Sequence, residues 1–278
     1  MNLLIEASKN PQDFTRYERD GWMVVSEGYE QHYAPLTSQT VSATLDAAGV
    51  RKHINVLDVC TGPGMLAAAV VKREASVLGL DFCKQMIGIA MRNVPKASFL
   101  VGDAQSLPFD DGSFDAVVCG YGVIHVAEPQ KALSEMRRVL KTGGRVSISV
   151  WERPTPMNGV GLLFASIKKH GDLAVPLPDG PDSFQFSQKK KMVGALEETG
   201  FKEVTAKIIK QEWELNDARD LEAAIMKGGV RARGLLEAQN RSARIAIANA
   251  IELGLKQYFM SDGVYRVPMP AIIGAGTK

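Results

Sequence analysis

The sequence predicts an α/β fold built on a doubly wound, mostly parallel sheet. Three observations carry that prediction. Short apolar runs alternate with helical patterns from residue 56 to residue 151, the order that produces a parallel sheet covered on both faces. The first run, Val56-Leu57-Asp58-Val59, leads directly into Thr61-Gly62-Pro63-Gly64, a sharp turn that opens a helix. Small or acidic residues then stand where the later runs end, at Asp81, Asp103 and Gly120.

Taken in order, the first 50 residues carry Tyr17, Trp22, Tyr29 and Tyr33 and a helix-like stretch from Leu36 to Ala48 that Gly49 would stop. This aromatic density suits packing onto the main domain or a lid over a ligand. Val56 to Val59 reads as a buried strand, and Met65, Leu66, Ala69 and Val70 as the apolar face of the helix after the turn. Gly62 and Gly64 accept dihedrals closed to other residues and carry no Cβ to block a ligand. The helix start offers free N–H groups and the positive end of a dipole, a place for an anion or a carboxylate. Asp58 at the strand's end can accept hydrogen bonds from the turn or from a bound ammonium.

Ser76 to Leu80 reads as a second strand ending at Asp81, followed by a helix with Met86, Ile87, Ala90, Met91 and Val94 on one face. An acid there, about 20 residues past the glycines, is placed to bind ribose hydroxyls or to cap the helix. Ala97 to Val101 is a third strand, and Asp103 beyond it can accept from an exocyclic amine while a neighbouring N–H meets a ring nitrogen. Asp110 and Asp111 read as a solvated turn rather than a metal pair. Ala116 to Cys119 is a fourth strand. A helix from Pro129 to Gly143-Gly144 follows, and Val146 to Trp151 is a fifth strand.

Residues 152 to 184 read as irregular, with a short helix around Val160, Leu163, Phe164 and Ile167. Ser187 is expected to cap a helix running to Glu198. Val204 to Trp213 reads as one strand, 217 to 227 and 234 to 260 as helices, and Gly263 to Ala275 as a final strand weakened by Pro268 and Pro270.

Composition bounds the function. The chain has 278 residues, a net charge of +2 and 45% hydrophobic residues, which suits one large globular domain or a domain with an insertion. No charge block suggests a nucleic-acid arm, and Lys189-Lys190-Lys191 reads as a solvated helix face. Three cysteines without a C-x-x-C pair give no disulfide framework and no zinc signature. A reducing, cytoplasmic setting is therefore expected. Neither a secretory leader nor an apolar run of the ~20 residues a membrane helix needs is expected.

The segments VLDVCTGPGMLA, VLGLDFCKQMIGIA, FLVGDAQSLPFDDGSFDAVVCGYGVIHV and EPQKALSEMRRVLKTGGRVSISVW resemble the class I S-adenosylmethionine-dependent methyltransferases. The likeness is greatest to the branch that includes the ubiquinone and menaquinone C-methyltransferases. The resemblance implies a seven-stranded Rossmann-like sheet whose last strand is antiparallel. It places the cofactor's methionine portion at Thr61, Gly62 and Gly64, and the ribose at Asp81. Phe82 and Met86 would flank the adenine, Asp103 and Ala104 would meet its edge, and Gly120 would lie beside the sulfonium with Tyr121 nearby. The family often has a third glycine where this chain has Cys60.

The domain organisation then reads as an N-terminal helical lid or substrate segment (1–50), a cofactor-binding core (51–151), substrate-cap insertions with the sixth strand (152–260) and a closing strand (261–278). The expected reaction is metal-independent, in-line methyl transfer to a small, partly apolar acceptor at carbon, nitrogen or oxygen. His125 is the candidate base, against a packing or helix-entry role, and His32, Tyr29 and Tyr33 are candidates to enter the site from the lid. A protein of the same fold that binds S-adenosylmethionine without transferring methyl, whether for cyclisation, rearrangement or binding alone, is the alternative. A nicotinamide-dependent dehydrogenase is disfavoured by the Cys60-Thr61-Gly62-Pro63-Gly64 turn and the Gly102-Asp103-Ala104 site. Oligomeric state is not legible.

Overall fold

A computed structural model describes residues 10–278; Met1 to Lys9, the start of the 1–50 segment, lie outside the described residues. The described residues open on α1 (Pro11–His32), a helix inside the segment expected to be helical but with bounds the sequence does not give. Asn10 caps it by accepting from the Gln12 N–H, and Pro11 occupies its first turn. Its buried stripe is Phe14, Glu18, Trp22, Val25 and Ser26. The expected helix from Leu36 is instead broken into α2 (Ala34–Thr37), a 3-10 turn and α3 (Val41–Ala47). Hydroxyls of Thr37, Ser38, Thr40 and Thr44 bond back to carbonyls three or four residues earlier, which competes with regular helix.

The core follows as β1 (Asn55–Val59), α4 (Met65–Lys72), β2 (Ser76–Asp81), α5 (Lys84–Asn93), β3 (Ser98–Val101), β4 (Phe114–Gly120), α6 (Pro129–Val139) and β5 (Leu140–Trp151). The fifth strand takes over the end of the expected helix, because Leu140 leaves α6 with extended dihedrals and pairs with Phe114. Next come α7 (Gly159–His170), α8 (Lys189–Glu198), β6 (Lys202–Ile209), β7 (Glu212–Leu215), α9 (Asp220–Gly228), α10 (Arg231–Glu237), α11 (Arg241–Leu255), β8 (Tyr265–Pro268) and β9 (Ala271–Thr277). Ser187 does not cap α8: Gln188 holds the cap position, and the Ser187 hydroxyl is buried without a partner among the described residues.

The seven-stranded sheet runs β3-β2-β1-β4-β5-β9-β6, parallel except for β9, which is antiparallel to both neighbours. Side chains of β1 alternate between the two faces of the sheet. Leu57 and Val59 face the core under α6 and α8, while Val56 faces the core under α3 and α4. Asp58 shares the Val56 face, so its carboxylate lies against the start of α4. Strand order reverses between β1 and β4, and ligands of such sheets bind at the strand ends beside that point.

Each of the last two expected strands is broken in two. Lys210 and Gln211 separate β6 from β7, and Met269 and Pro270 separate β8 from β9. β6 pairs with β9 and β7 with β8, both antiparallel. The result is one long ribbon bent at a single level, where the Met269 N–H donates to the Gln211 carbonyl. Pro268 and Pro270 lack N–H donors, so a flat ladder cannot continue through this level. The outer half packs with α7, α9 and α11 around Trp213, Leu163, Leu221 and Ile247. α1 lies along α9 and α5; a Cβ on Gly28 would overlap the Lys227 carbonyl, so only glycine permits that approach. Among the described residues no helix is long and apolar enough to cross a membrane.

Two isoleucines on α11 test how far this outer layer depends on packing. Ile247 is fully buried and Ile245 is 55% exposed. Ile247→Ala is expected to cost about 2–5 kcal/mol, and Ile245→Ala to stay within about 0.5 kcal/mol, read from equilibrium urea unfolding.

Candidate active site

A cavity of about 570 Å³ opens at the carboxyl ends of the strands, a size that suits a cofactor or drug-sized ligand. Its floor is the turn after β1. Cys60 has φ 56, Gly62 φ 53 and Gly64 φ 89, three left-handed residues within five. A Cβ on Gly62 would meet nothing within 4 Å, so the missing side chain leaves open space beside the turn. Cys60 is not a glycine, and left-handed geometry strains it. Its side chain fits because residue 122 is glycine: a Cβ there would overlap the Cβ of Cys60.

Two buried carboxylates brace the floor. Asp58 Oδ2 accepts from Thr61 Oγ1 at 2.6 Å and from the Ala67 N–H at 3.1 Å, whereas Oδ1 is buried with no partner among the described residues. Burial raises its pKa to about 7. Asp81 accepts from the Gly62 N–H on Oδ2 and the Cys83 N–H on Oδ1, both at 2.9 Å. Burial raises it to about 6 against the opposing pull of those donors. Cys83, not Asp81, holds the helix cap position of α5, though the Asp81 carboxylate satisfies its N–H.

Of the candidates singled out in the sequence, Asp58, Thr61, Gly62, Asp81, Phe82, Met86, Asp103, Ala104, Gly120, Tyr121 and His125 line this one cavity. Gly64 stands behind the wall, against Ala90 and Val94 of the α5 region. The Asp103 carboxylate is already engaged by the backbone and side-chain amides of Gln105. Tyr121 has φ 60, and its buried hydroxyl accepts from Gln211 Nε2 at 2.9 Å with Thr40 Oγ1 at 3.4 Å. Tyr29 and Tyr33 line the cavity; His32 does not, and lies in a separate groove beside Pro35 and Lys227. Asp111 pairs with Arg138, as a surface turn would. Among the described residues no group of three or more His, Cys, Asp or Glu is placed to hold a metal ion.

The cavity has two chemically distinct ends. The end at Asp58, Gly62, Asp81 and Asp103 is polar. The other end is a run of rings: Tyr29 stacks on Tyr33 at 5.5 Å, Tyr33 meets Trp213 at 4.7 Å, and Tyr121 meets Trp151 at 4.4 Å. Leu163, Phe164, Leu221 and Ile225 complete it. The sequence reading passes over Glu18, Thr40 and Gln211. Glu18 leaves a readable signal: Phe14, Glu18, Trp22 and Val25 share a helical face, and an acid there interrupts an apolar stripe. Thr40 and Gln211 leave none, because their partner Tyr121 is distant in sequence.

Polar groups fit a cationic nucleoside at the first end. The orphaned Asp58 Oδ1 suits an ammonium, the Asp81 carboxylate suits a diol, and the bare Gly62 backbone lets a ligand approach.

Known proteins bear on this geometry. The methyltransferase-domain family matches residues 57–148. The chain is 40% identical over 111 residues to a demethylmenaquinone methyltransferase of Renibacterium salmoninarum, covering 40% of this chain and 47% of that protein. The demethylmenaquinone methyltransferase of Staphylococcus aureus is 33% identical over 173 residues, 55% of this chain and 70% of that protein. The chain spans about half the length of the first curated relatives it matches. Haemonchus contortus phosphoethanolamine N-methyltransferase 2, solved with S-adenosyl-L-methionine, matches with a TM-score of 0.51 at 18% identity over 86% of this chain and 52% of that one. At that identity the likeness shows the fold.

The two raised acids imply a stability signature. Each binds its proton more tightly in the folded chain than at the ordinary 3.8. Their contribution is therefore full below about pH 4 and is lost as pH rises to about 7. Asp58→Asn removes one share of that loss. Its melting temperature, measured by calorimetry without ligand, is expected to gain on wild type by several degrees between those two pH values.

Proposed function

This chain belongs to the class I S-adenosylmethionine-dependent methyltransferases, and we propose that it transfers the cofactor's methyl group to a small, partly apolar acceptor. The observation that carries this reading is the single cavity that joins a polar, acid-braced end to an aromatic one.

When bound, S-adenosylmethionine supplies a methyl group activated by its sulfonium, whose departure as a neutral thioether needs no metal. Thr61 and Gly62 receive the methionine portion and Asp58 Oδ1 its ammonium, while Gly64 shapes the turn. Asp81 accepts from the ribose hydroxyls. Phe82 and Met86 flank the adenine, and Asp103 and Ala104 meet its edge. Gly120 and Tyr121 border the transfer point. The acceptor occupies the aromatic end, enclosed by α1 from the N-terminal segment and by residues of the 152–260 segment. Those rings favour a flat acceptor, and the relatives' name points to a reduced naphthoquinone as the first class to test. Catalysis then consists mainly in holding the acceptor in line and close, with His125 taking any proton the acceptor must lose.

Calorimetric titration tests the cofactor half. S-adenosylmethionine and S-adenosylhomocysteine are expected to bind in the micromolar range, about −8 kcal/mol, and NADH not at all. Asp81→Ala should weaken both by about tenfold or more, the worth of a charge-assisted hydrogen bond. Labelled-methyl transfer to 1,4-naphthohydroquinone then tests the acceptor half. A wild-type protein that ignores both sulfur nucleosides overturns the reading.

A further inference from the structure

Glu18 is a carboxylate in the wrong place for an ordinary helix residue. Its side chain is fully buried within the apolar stripe of α1. Oε2 lies 2.9 Å from Nδ1 of His125, and Oε1 has no partner among the described residues. Burying an ionised carboxylate costs several kcal/mol unless donors or charge offset it. His125 is the side chain that answers it.

The imidazole is held on two sides from the same helix. Trp22, one turn beyond Glu18, sets its ring at 88° to the imidazole with centroids 4.9 Å apart. From below, the His125 N–H donates to the Gly122 carbonyl, which fixes the short turn after β4. His125 lines the cavity and Glu18 does not. With Nδ1 committed to Glu18, Nε2 is the ring nitrogen left for the cavity.

We infer, resting on the methyl-transfer reading, that Glu18 is a positioning residue for His125: it accepts the Nδ1–H and so leaves Nε2 bare to take the acceptor's proton. The ring nitrogen that carries the proton is set by the bond the other makes. In the transfer, the electron pair of the acceptor's O–H, N–H or C–H bond forms the new bond to the methyl carbon. The pair of the breaking C–S bond stays on sulfur, and the proton passes to Nε2. The imidazolium so formed faces the Glu18 carboxylate, which stabilises it without taking its proton. Because Glu18 sits on α1 and His125 beyond β4, the base is complete only when α1 is seated against the core.

Nitrogen-15 NMR of the imidazoles tests this without turnover. The chain has four histidines, so His125→Asn assigns the resonances. With S-adenosylhomocysteine added, neutral His125 is expected to carry its proton on Nδ1 in wild type. Glu18→Gln keeps an acceptor oxygen and should keep that tautomer. Glu18→Leu should lose it in favour of the Nε2–H form. An Nε2–H tautomer in wild type overturns the inference, as does an unchanged tautomer in a folded Glu18→Leu. If Glu18→Leu does not fold, the wild-type tautomer decides. Calorimetry with S-adenosylhomocysteine on the same samples separates the two failures: no binding sinks the cofactor reading, while the tautomer judges Glu18 whether or not the nucleoside binds.

Discussion

Two carboxylates buried at the ends of neighbouring strands set the terms for this fold. Asp58 and Asp81 are buried, so their charge has to be met by nearby donors. Thr61, Gly62, Ala67 and Cys83 supply them. Thr61, Gly62 and Cys83 belong to the turns after β1 and β2 and Ala67 to the start of α4, so the acids hold both turns in shape. The Gly62 N–H reaches Asp81, so the first turn is held by an acid from the second strand. The compensation is incomplete, since one Asp58 oxygen is left over. A binding site of this kind is a region where the protein satisfies most, but not all, of its own buried polarity.

The central sheet was legible because its signals are local. A run such as Val56 to Val59, a glycine turn and a helix with period 3.6 all lie within about a dozen residues, and the acids and glycines of the carboxyl edge follow from knowing where strands stop. The aromatic end was not legible, for reasons that are also physical. Its wall is made by Tyr33 and Trp213, which meet across 180 residues of chain. The bend that carries Trp213 and Met269 over the cavity arises where two strands lose their ladder at the same level. Pro268 and Pro270 hinted at a weakened strand, but nothing local says that its partner breaks opposite them. The bounds of α1 were not legible because Gly21 and Gly28 sit inside it, residues that normally argue against a helix; here Gly28 lets it lie close to α9 and Gly21 close to Val230.

His125 shows how one residue can satisfy two readings. It packs: Trp22 and Glu18 enclose most of the ring. It also faces the cavity. Packing and catalysis look like rival roles in the sequence, yet a side chain aimed with accuracy has to be packed on every side but one. Tyr121 is a second case, with a hydroxyl locked by Thr40 and Gln211 and a ring against Trp151.

The pairing of Cys60 with Gly122 reaches beyond this one chain. A side chain at position 60 occupies the space a side chain at 122 would need, so the two positions cannot both be filled. With glycine at position 60 that overlap would be gone, and a Cβ at position 122 would meet Cys119 Sγ at 3.3 Å. Once both have changed in a lineage, reverting either alone means crossing a form that is overfilled or loosely packed. The order in which these two sites can change is therefore constrained by the room for one side chain beside the turn.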